Sequence, residues 1–249
     1  MGTTLVTSQE VNDIVSNPCN TFVATISGLD IIDNTTLENI GYVSFSSGGF
    51  TSAYHKTDRC NGVLLLGTTF SGVQKLITNP VTMTGNLSAS LQDAYLAPVG
   101  ISSNDVQLIA GNNNGDLAIA TASGLDFYRA NSSAKVSTYW PGGMTAVFVT
   151  EAGAVYYSPV LSGGLYAKYE PVSSGWTEPD YKLVAEGGSS LPSGVGFIPS
   201  NRINEIEMNT FSGTNHVFLA TTSGLFVYEE DRNNISSSIS GAKLFRNIP

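Results

Sequence analysis

The chain has 249 residues, of which 41% are hydrophobic, and it carries 11 basic and 20 acidic side chains, for a net charge of −9. Only 12% of the residues are charged, about half of the ~25% that is usual in globular proteins. This acidic balance, without any basic run, excludes a nucleic-acid backbone as partner and disfavours an anionic membrane surface. No stretch approaches the ~20 apolar residues of a membrane helix, so neither a transmembrane segment nor membrane insertion is expected.

Residues 1–10 precede the first strand-like run and are interpreted as an N-terminal arm. They have neither the basic nor the apolar region of a secretory signal. The two cysteines, Cys19 and Cys60, are too few for a disulfide framework and lack a metal-site spacing. Each precedes an Asn at an equivalent point of neighbouring repeats, which would bring them close together. Reduced thiols are nevertheless the expectation, and their pairing stays open at this point.

Strand-like runs, rich in β-forming residues, open and close five successive segments of the chain. The predicted first strands are Val11–Val15, Phe50–His55, Val106–Ala110, Met144–Thr150 and Ile203–Met208. The predicted last strands are Gly41–Phe45, Ser90–Leu96, Lys135–Trp140, Asp180–Ala185 and Ala242–Ile248. No convincing amphipathic helix is found, so the fold class is all-β.

Between these strands one signature recurs five times: an apolar run, a small or hydroxyl residue, a glycine, an aliphatic residue and a second apolar run. Its glycines are Gly28, Gly72, Gly124, Gly164 and Gly224, separated by 44, 52, 40 and 60 residues. A threonine stands three residues before four of them: Thr25, Thr69, Thr121 and Thr221. The Ser-Gly step predicts a tight hairpin in which the glycine supplies positive φ. The flanking runs are almost uninterruptedly apolar, which is typical of strands buried on both faces.

Repeats of about 40–50 residues with four strands each are typical of propeller blades. We therefore predict one domain over residues 1–249, a five-bladed β-propeller of four-stranded antiparallel blades. The predicted blades are residues 11–48, 49–99, 102–141, 143–187 and 202–249. A β-sandwich or jelly roll is the main alternative, but neither fold requires a recurring signature.

The pattern Ala-Thr-x-Ser-Gly-Leu-x-x-Tyr occurs in Ala120–Tyr128 and Ala220–Tyr228, and in part in Ala24–Ile32. It resembles the propeller repeat of two-component-regulator sensors, and it is similar to sialidase-like and photosystem-assembly propeller repeats. The resemblance implies a fold and no activity. Sensors of that family carry many more blades, a membrane anchor and signalling domains, so their sensing role is not expected to carry over.

Catalytic candidates are few. The two histidines, His55 and His216, are too scattered for a Ser-His-Asp arrangement. A glycosidase would need converging carboxylates, and the candidates on predicted first strands or just after them are Asp13, Glu151, Glu205 and Glu207. The last two share a strand face by the period of two, but a structural or solvated role is favoured. Asn112–Asp116 is interpreted as a turn rather than a calcium loop. No metal and no cofactor is predicted.

Two long connections stand out, Gly187–Asn201 between the last two repeats and Asn79–Gln92 within the second. Loops longer than ~12 residues are usually functional or mobile. The side chains predicted to bind a ligand or partner are the two tryptophans and three residues in or beside the first connection. They are Trp140, Trp176, Phe197, Ile198 and Arg202.

These observations lead to the hypothesis of a non-catalytic structural or binding module. The scarcity of charge and the surface rich in hydroxyls and amides favour a virion component, such as a tailed-phage head or tail appendage that engages other proteins or a host surface. The predicted location is then the virion or the cytoplasm. The alternatives are a soluble carbohydrate-binding lectin and a glycosidase-type propeller enzyme.

Overall fold

A computed structural model describes residues 8, 10–45, 48–56, 59–79, 82–95, 100–130, 137–139, 142–151, 153–161, 163–168, 181–186, 196–198 and 202–230. For residues 137–139, 167–168, 181–186, 196–198, 228 and 230 the backbone alone is described. The contacts divide the chain into two compact units, Met1–Thr138 and Tyr139–Pro249, and each unit is described by itself.

The first unit is built from three sheets. Sheet 1 consists of β1 (Val11–Ser16), β2 (Asn20–Thr25), β3 (Gly28–Asp33), β4 (Asn39–Ser44) and β8 (Gly85–Asn86). Sheet 2 consists of β5 (Ser52–His55), β6 (Gly62–Gly67), β7 (Val73–Thr78) and β9 (Gln92–Tyr95). Sheet 3 consists of β10 (Val106–Gly111), β11 (Leu117–Thr121), β12 (Gly124–Tyr128) and β13 (Ser137–Tyr139).

The second unit is built from two sheets. Sheet 4 consists of β14 (Met144–Val149), β15 (Val155–Pro159), β16 (Leu165–Lys168), β17 (Tyr181–Glu186) and β18 (Gly196–Ile198). Sheet 5 consists of β19 (Ile203–Phe211), β20 (Thr214–Thr221) and β21 (Gly224–Glu230). The all-β class and the repeated meander of strands are confirmed, while the predicted strand Ala242–Ile248 lies outside the described residues.

The predicted tight hairpin with a glycine of positive φ is present, and in sheet 1 this glycine begins the second strand of the hairpin. Thr25 pairs with Gly28, so the central turn residues are Ile26 and Ser27, and the glycine is the first residue of β3. The Thr25 hydroxyl donates to the Gly28 carbonyl at 3.0 Å and accepts from the Ser27 N–H at 3.2 Å. The glycine is still required, because its φ is +145° and a Cβ there would overlap the Val43 carbonyl oxygen.

The same threonine contact recurs in other hairpins, at Thr121 and Thr221. In sheet 2 the contact is made by Thr68 and not by Thr69, the residue three positions before the glycine. Thr68 donates to the Gly72 carbonyl at 2.9 Å and accepts from the Ser71 N–H at 2.8 Å. The reason is that this turn is one residue longer, which moves the threonine to four positions before the glycine.

The two long connections are not loops throughout, which corrects the sequence interpretation. Asn79–Gln92 contains β8, which pairs in parallel with β4, followed by a short 3-10 turn at Ser88–Ser90. Gly187–Asn201 contains β18, which pairs in parallel with β17. In both cases a connection returns to the outer edge of a sheet and adds a fifth strand there.

The attachment of β8 to sheet 1 depends on close backbone approach. A Cβ at Gly41 would lie 2.7 Å from the Met83 carbonyl oxygen, a distance that only a glycine accommodates. The Leu87 N–H then donates to the Tyr42 carbonyl at 2.8 Å. The Met83 side chain is fully buried in the core of sheets 1 and 2, and it anchors the connection there.

Neighbouring sheets share their cores within each unit. Strands β11 and β12 in the first unit, and β15 in the second, are buried at every position, as expected for strands covered on both faces. Sheets 1 and 2 bury one cluster that includes Phe22 and Leu64, and sheets 2 and 3 bury another that includes Leu65 and Ile119. Burying each such side chain stabilises the fold by ~1.5–3 kcal/mol.

The cysteines form a disulfide, contrary to the expectation of reduced thiols. Cys19 and Cys60 are joined with their Cα atoms 5.3 Å apart. Cys19 lies just before β2 and Cys60 just before β6, so the bond ties equivalent connections of sheets 1 and 2. The equivalent placement of each cysteine before an Asn in its repeat is the feature of the sequence that indicates this bond.

Candidate functional site

A cleft of about 420 Å³ opens between sheets 2 and 3 in the first unit. Its walls come from six strands or strand ends and from the connections that follow them. The lining residues are Tyr54, Lys56, Val63, Leu65, Lys75, Asp93, Ala94, Tyr95, Gly100, Gly115, Leu117, Tyr128, Arg129 and Ala130. This volume is within the range of small-molecule sites.

The wall from sheet 2 is a row of side chains that cross the strands. Tyr54 of β5 pairs with Leu65 of β6, which pairs with Lys75 of β7. Because side chains alternate between the faces of a strand, Lys56 and Val63 fall on the same face as this row. A single face of sheet 2 therefore combines an aromatic ring, aliphatic groups and two ammonium groups.

The wall from sheet 3 is held by a polar turn. Leu117 pairs with Tyr128 across β11 and β12. Beside them the Arg129 guanidinium lies 3.0 Å from the Asp116 carboxylate, which also accepts from the Asn112 side-chain amide at 3.1 Å. The Asp116 N–H donates to the Asn112 side-chain oxygen at 2.9 Å. Asn112–Asp116 is thus a closed turn, as the sequence suggested, and it orients Arg129.

Tyr54 joins the two walls. Its hydroxyl donates to the Asn112 carbonyl at 3.0 Å, and its ring lies where a Cβ on Gly111 would be. Sheet 2 is therefore hydrogen-bonded to the turn of sheet 3 at the edge of the cleft. This contact fixes the separation of the walls.

The Tyr128 hydroxyl is the unusual polar group of the cleft. Tyr128 is only 2% exposed, and its hydroxyl has no hydrogen-bond partner among the residues that the structure describes. Burial, followed by the charge of Asp126 and the proximity of Tyr95, raises the pKa of Tyr128 well above its ordinary value. The hydroxyl stays protonated at neutral pH and is a donor without an acceptor.

Basic groups concentrate at this cleft. Of the four lysines and arginines described in the first unit, Lys56, Lys75 and Arg129 line it and Arg59 does not. Within the described part of the chain, neither the Lys56 nor the Lys75 ammonium has an ion-pair or hydrogen-bond partner. Among the described lining residues Asp93 is the one carboxylate, and it accepts from the Gln74 amide at 2.8 Å. A chain of net charge −9 thus presents an electropositive cleft.

Of the residues predicted to bind a ligand, the structure describes the side chain of Arg202 alone, and Arg202 does not line this cleft. Trp140 and Trp176 lie outside the described residues. Phe197 and Ile198 belong to β18, of which the backbone alone is described, and Arg202 is exposed just before β19. Their role in binding stays a prediction.

The turn glycines occupy hairpins as described above for Gly28. The φ values are +68° at Gly72, +154° at Gly124, +76° at Gly164 and +127° at Gly224. All lie in the region that side chains with a Cβ rarely adopt. These glycines therefore have a structural role at the hairpins and are not ligand contacts of the cleft.

The histidines are engaged in packing. His55 is buried, stacks on Phe22 with ring centroids 5.7 Å apart, and its Nε2 lies 2.9 Å from Thr78 Oγ1. His216 Nε2 lies 3.7 Å from a Glu229 carboxylate oxygen. The Thr78 side chain beside His55 is only 1% exposed, so this contact belongs to the core.

The four candidate carboxylates fall in different surroundings. Asp13 accepts from Ser52 and from the Ala53 N–H, which is a structural role. Glu151, Glu205 and Glu207 lie in the second unit and are exposed. Partial desolvation raises the pKa of Glu207. Within the described ranges, no group of three or more His, Cys, Asp or Glu side chains is placed to hold a metal ion.

The sequence interpretation missed the cleft entirely. A weak signal existed, because Lys56 follows the buried β5 and Lys75 interrupts the apolar strand β7. A lysine on a strand buried between sheets requires a solvent-filled or ligand-filled space. The position of that space depends on which sheet covers the strand, and the sequence does not give this.

Comparisons with known proteins give the fold. No family model and no curated protein matches the sequence. The extracellular domain of the one-component system BT4673 from B. thetaiotaomicron is similar over 93% of this chain, with a TM-score of 0.63 and 13% identity. The extracellular domain of the hybrid two-component system BT3049 from B. thetaiotaomicron is similar over 87% of this chain, with a TM-score of 0.59 and 17% identity.

The WD40 β-propeller domain of Doa1 is similar over 93% of the chain, with a TM-score of 0.61 and 8% identity. The fold is that of a β-propeller. The predicted resemblance to two-component-regulator propellers is confirmed at this level. The chain spans 29% and 26% of the two bacterial domains and 67% of the Doa1 chain. In the described part of the propeller, no helix has the length and apolar character needed to cross a bilayer.

Proposed function

We propose that this propeller is a non-catalytic binding module whose ligand occupies the cleft between sheets 2 and 3. The observation that carries the proposal is the pair of unpartnered lysines, Lys56 and Lys75, in a cleft of about 420 Å³ with tyrosine and aliphatic walls. Binding sites combine such apolar walls with a few polar groups that orient the ligand. The similar bacterial structures are extracellular domains of regulatory systems, which favours a binding or regulatory role.

A fragment screen by ligand-observed NMR tests this proposal. Ala130 lines the cleft, and its Cβ is 3.5 Å from the position of a Cβ on Gly115, so Ala130→Trp would fill the space. Ala122→Trp, on an exposed hairpin tip, is the matched control. Fragments should bind the wild type and the control but not Ala130→Trp. Equal binding to all three proteins, or to none, contradicts the proposal.

The finer architecture is also a proposal: the five sheets are the five blades of one propeller. It is supported by the recurrence of the hairpin in successive sheets and by similarity to propellers over most of the chain. A crystal structure should relate successive sheets by a rotation of about 72° around one axis. Sheets that follow no common axis contradict five-fold closure.

A role as a virion appendage, engaging other proteins of an assembly or a host surface, is a more specific proposal. The low share of charged residues, 12%, supports it. Mass spectrometry of purified particles should then detect the chain in stoichiometric amounts. Its absence from such particles contradicts the virion role and leaves the ligand cleft unaffected.

A further inference from the structure

We propose that the ligand of the cleft is a small organic anion with a flat apolar body, bound through its carboxylate by Lys56 and Lys75. This inference rests on the proposed function and names its ligand class. The lining residues that the structure describes carry three cationic groups and one carboxylate. Arg129 is ion-paired with Asp116, whereas Asp93 accepts from the neutral Gln74 amide and keeps its charge, so among the described lining residues the two lysines leave a single net positive charge for an anion to neutralise.

The two lysines are held toward the cleft by their positions in sheet 2. Lys75 is the last member of the row Tyr54–Leu65–Lys75 and is partly buried. The Lys56 stem packs near Gly115, where a Cβ would lie 3.3 Å from Lys56 Cε. Lys56 itself is exposed, whereas the ammonium group of the half-buried Lys75 lies in a partly apolar setting, where an opposite charge stabilises it. In the described part of the chain no carboxylate supplies it.

The rest of the lining defines the body of the anion. Leu65 of the sheet 2 wall belongs to the same buried cluster as Leu117 and Tyr128 of the sheet 3 wall. The Tyr95 and Tyr128 rings lie 4.8 Å apart between centroids. Flat apolar groups gain from contact with aromatic and aliphatic side chains. The combination selects an aromatic carboxylate over an inorganic anion, which would leave these walls uncovered.

The unpartnered Tyr128 hydroxyl is a second, independent indication of a ligand. It is buried and protonated, and no described residue accepts its proton. A buried donor without an acceptor destabilises the empty protein. A carboxylate or another oxygen of the ligand that reached this wall would satisfy it.

Isothermal titration calorimetry with three probes tests the inference: benzoate, its neutral isostere benzamide, and inorganic phosphate. Benzoate should bind the wild type at least about tenfold more tightly than either other probe, because a charge-assisted contact is stronger than a neutral one. Lys56→Met and Lys75→Met should each reduce this preference. Arg59→Met removes the same charge outside the cleft and should retain it.

Every other outcome contradicts a specific part of this inference. If benzamide and benzoate bind equally, the ligand need not be an anion, and the proposal of a ligand site in the cleft is unaffected. If phosphate alone binds tightly, the inference that the ligand has a flat apolar body is wrong. Benzoate binding that survives both lysine substitutions overturns the assignment of the residues, and if it also survives Ala130→Trp the cleft itself fails. No binding of benzoate at up to about 10 mM overturns the inference, and the fragment screen then decides the proposed function. Circular dichroism of each variant verifies that it is folded.

Discussion

The Ser52 hydroxyl donates a hydrogen bond of 2.9 Å to the Asp13 carboxylate, and this contact joins the first strands of sheets 1 and 2. The same hydroxyl accepts from the Ile109 N–H at 3.0 Å, so one serine links the first strands of three sheets. Asp13 follows a β-bulge between Val11 and Asp13, and a bulge re-aims the side chains beside it. The bulge thus explains why a charged residue points at the neighbouring sheet.

Ser52→Ala should lower the free energy of unfolding by about 1–3 kcal/mol, because it leaves the buried Ile109 N–H without its partner and removes one of the hydrogen bonds that the Asp13 carboxylate accepts. Urea denaturation followed by tryptophan fluorescence measures the change. Ser27→Ala, on an exposed hairpin tip, is the control and should have no effect beyond about 0.5 kcal/mol. Equal stability of the two variants would show that the three-strand link does not contribute.

The threonine at the hairpin of sheet 2 offers a matched pair of substitutions. Thr68→Val removes the hydrogen bonds to the Gly72 carbonyl and the Ser71 N–H and should cost about 1–2 kcal/mol. Thr69→Val makes the same chemical change at the neighbouring position and should be close to neutral. Thermal unfolding of both variants measures the difference. The reverse order of stabilities would support the alignment that the sequence suggested.

The disulfide makes stability depend on redox conditions. Cys19 and Cys60 are 41 residues apart, and closing a loop of that size stabilises a fold by about 4 kcal/mol in the chain-entropy model. Adding a reductant should therefore lower the Tm of the wild type. The Cys19→Ser/Cys60→Ser double variant should have the lower Tm from the outset and not respond. A wild type that alkylates at both thiols without reductant would refute the bond.

Removing either of two tyrosine hydroxyls of the cleft should change the stability of the protein in opposite directions. Tyr128→Phe deletes a buried hydroxyl that has no described partner and should stabilise the empty protein by up to about 1 kcal/mol. Tyr54→Phe deletes a hydroxyl that donates to the Asn112 carbonyl and should destabilise it by about 1 kcal/mol. Chemical denaturation of the unliganded proteins measures both. Destabilisation by Tyr128→Phe would mean that its hydroxyl is satisfied in solution.

The local features of the fold could be predicted from sequence, and the non-local ones could not. Recurrent glycines such as Gly28 and Gly124 located the hairpins, because a positive φ and a neighbouring carbonyl leave no room for a Cβ. The role of Thr68 escaped because it depends on the length of one turn. Strand β8 escaped because two residues carry too little pattern to reveal a parallel partner 44 positions upstream, as in the pairing of Gly85 with Gly41.

The cleft escaped for a related reason. Lys56 and Lys75 are ordinary residues in the sequence, and only the pairing of β6 with β5 and β7 places them on one face. Which sheet covers that face is a tertiary property. The acidic net charge of the whole chain also gives no sign of the local excess of cations at the cleft. The prediction instead named the tryptophans, as side chains that bind a ligand or partner, whereas Tyr128 of the cleft is part of the repeated hairpin pattern.

The short parallel strands β8 and β18 have a consequence for association. An uncovered outer strand is a template on which an extended peptide from another molecule can pair, and proteins guard such edges against aggregation. Here β8 occupies the edge of β4 and β18 that of β17. An incoming peptide can pair with β4 or β17 at these points only by displacing a segment of the chain itself. The strands that now form these edges, β8 and β18, are only two and three residues long, so they offer little backbone on which fibre-like stacking could begin.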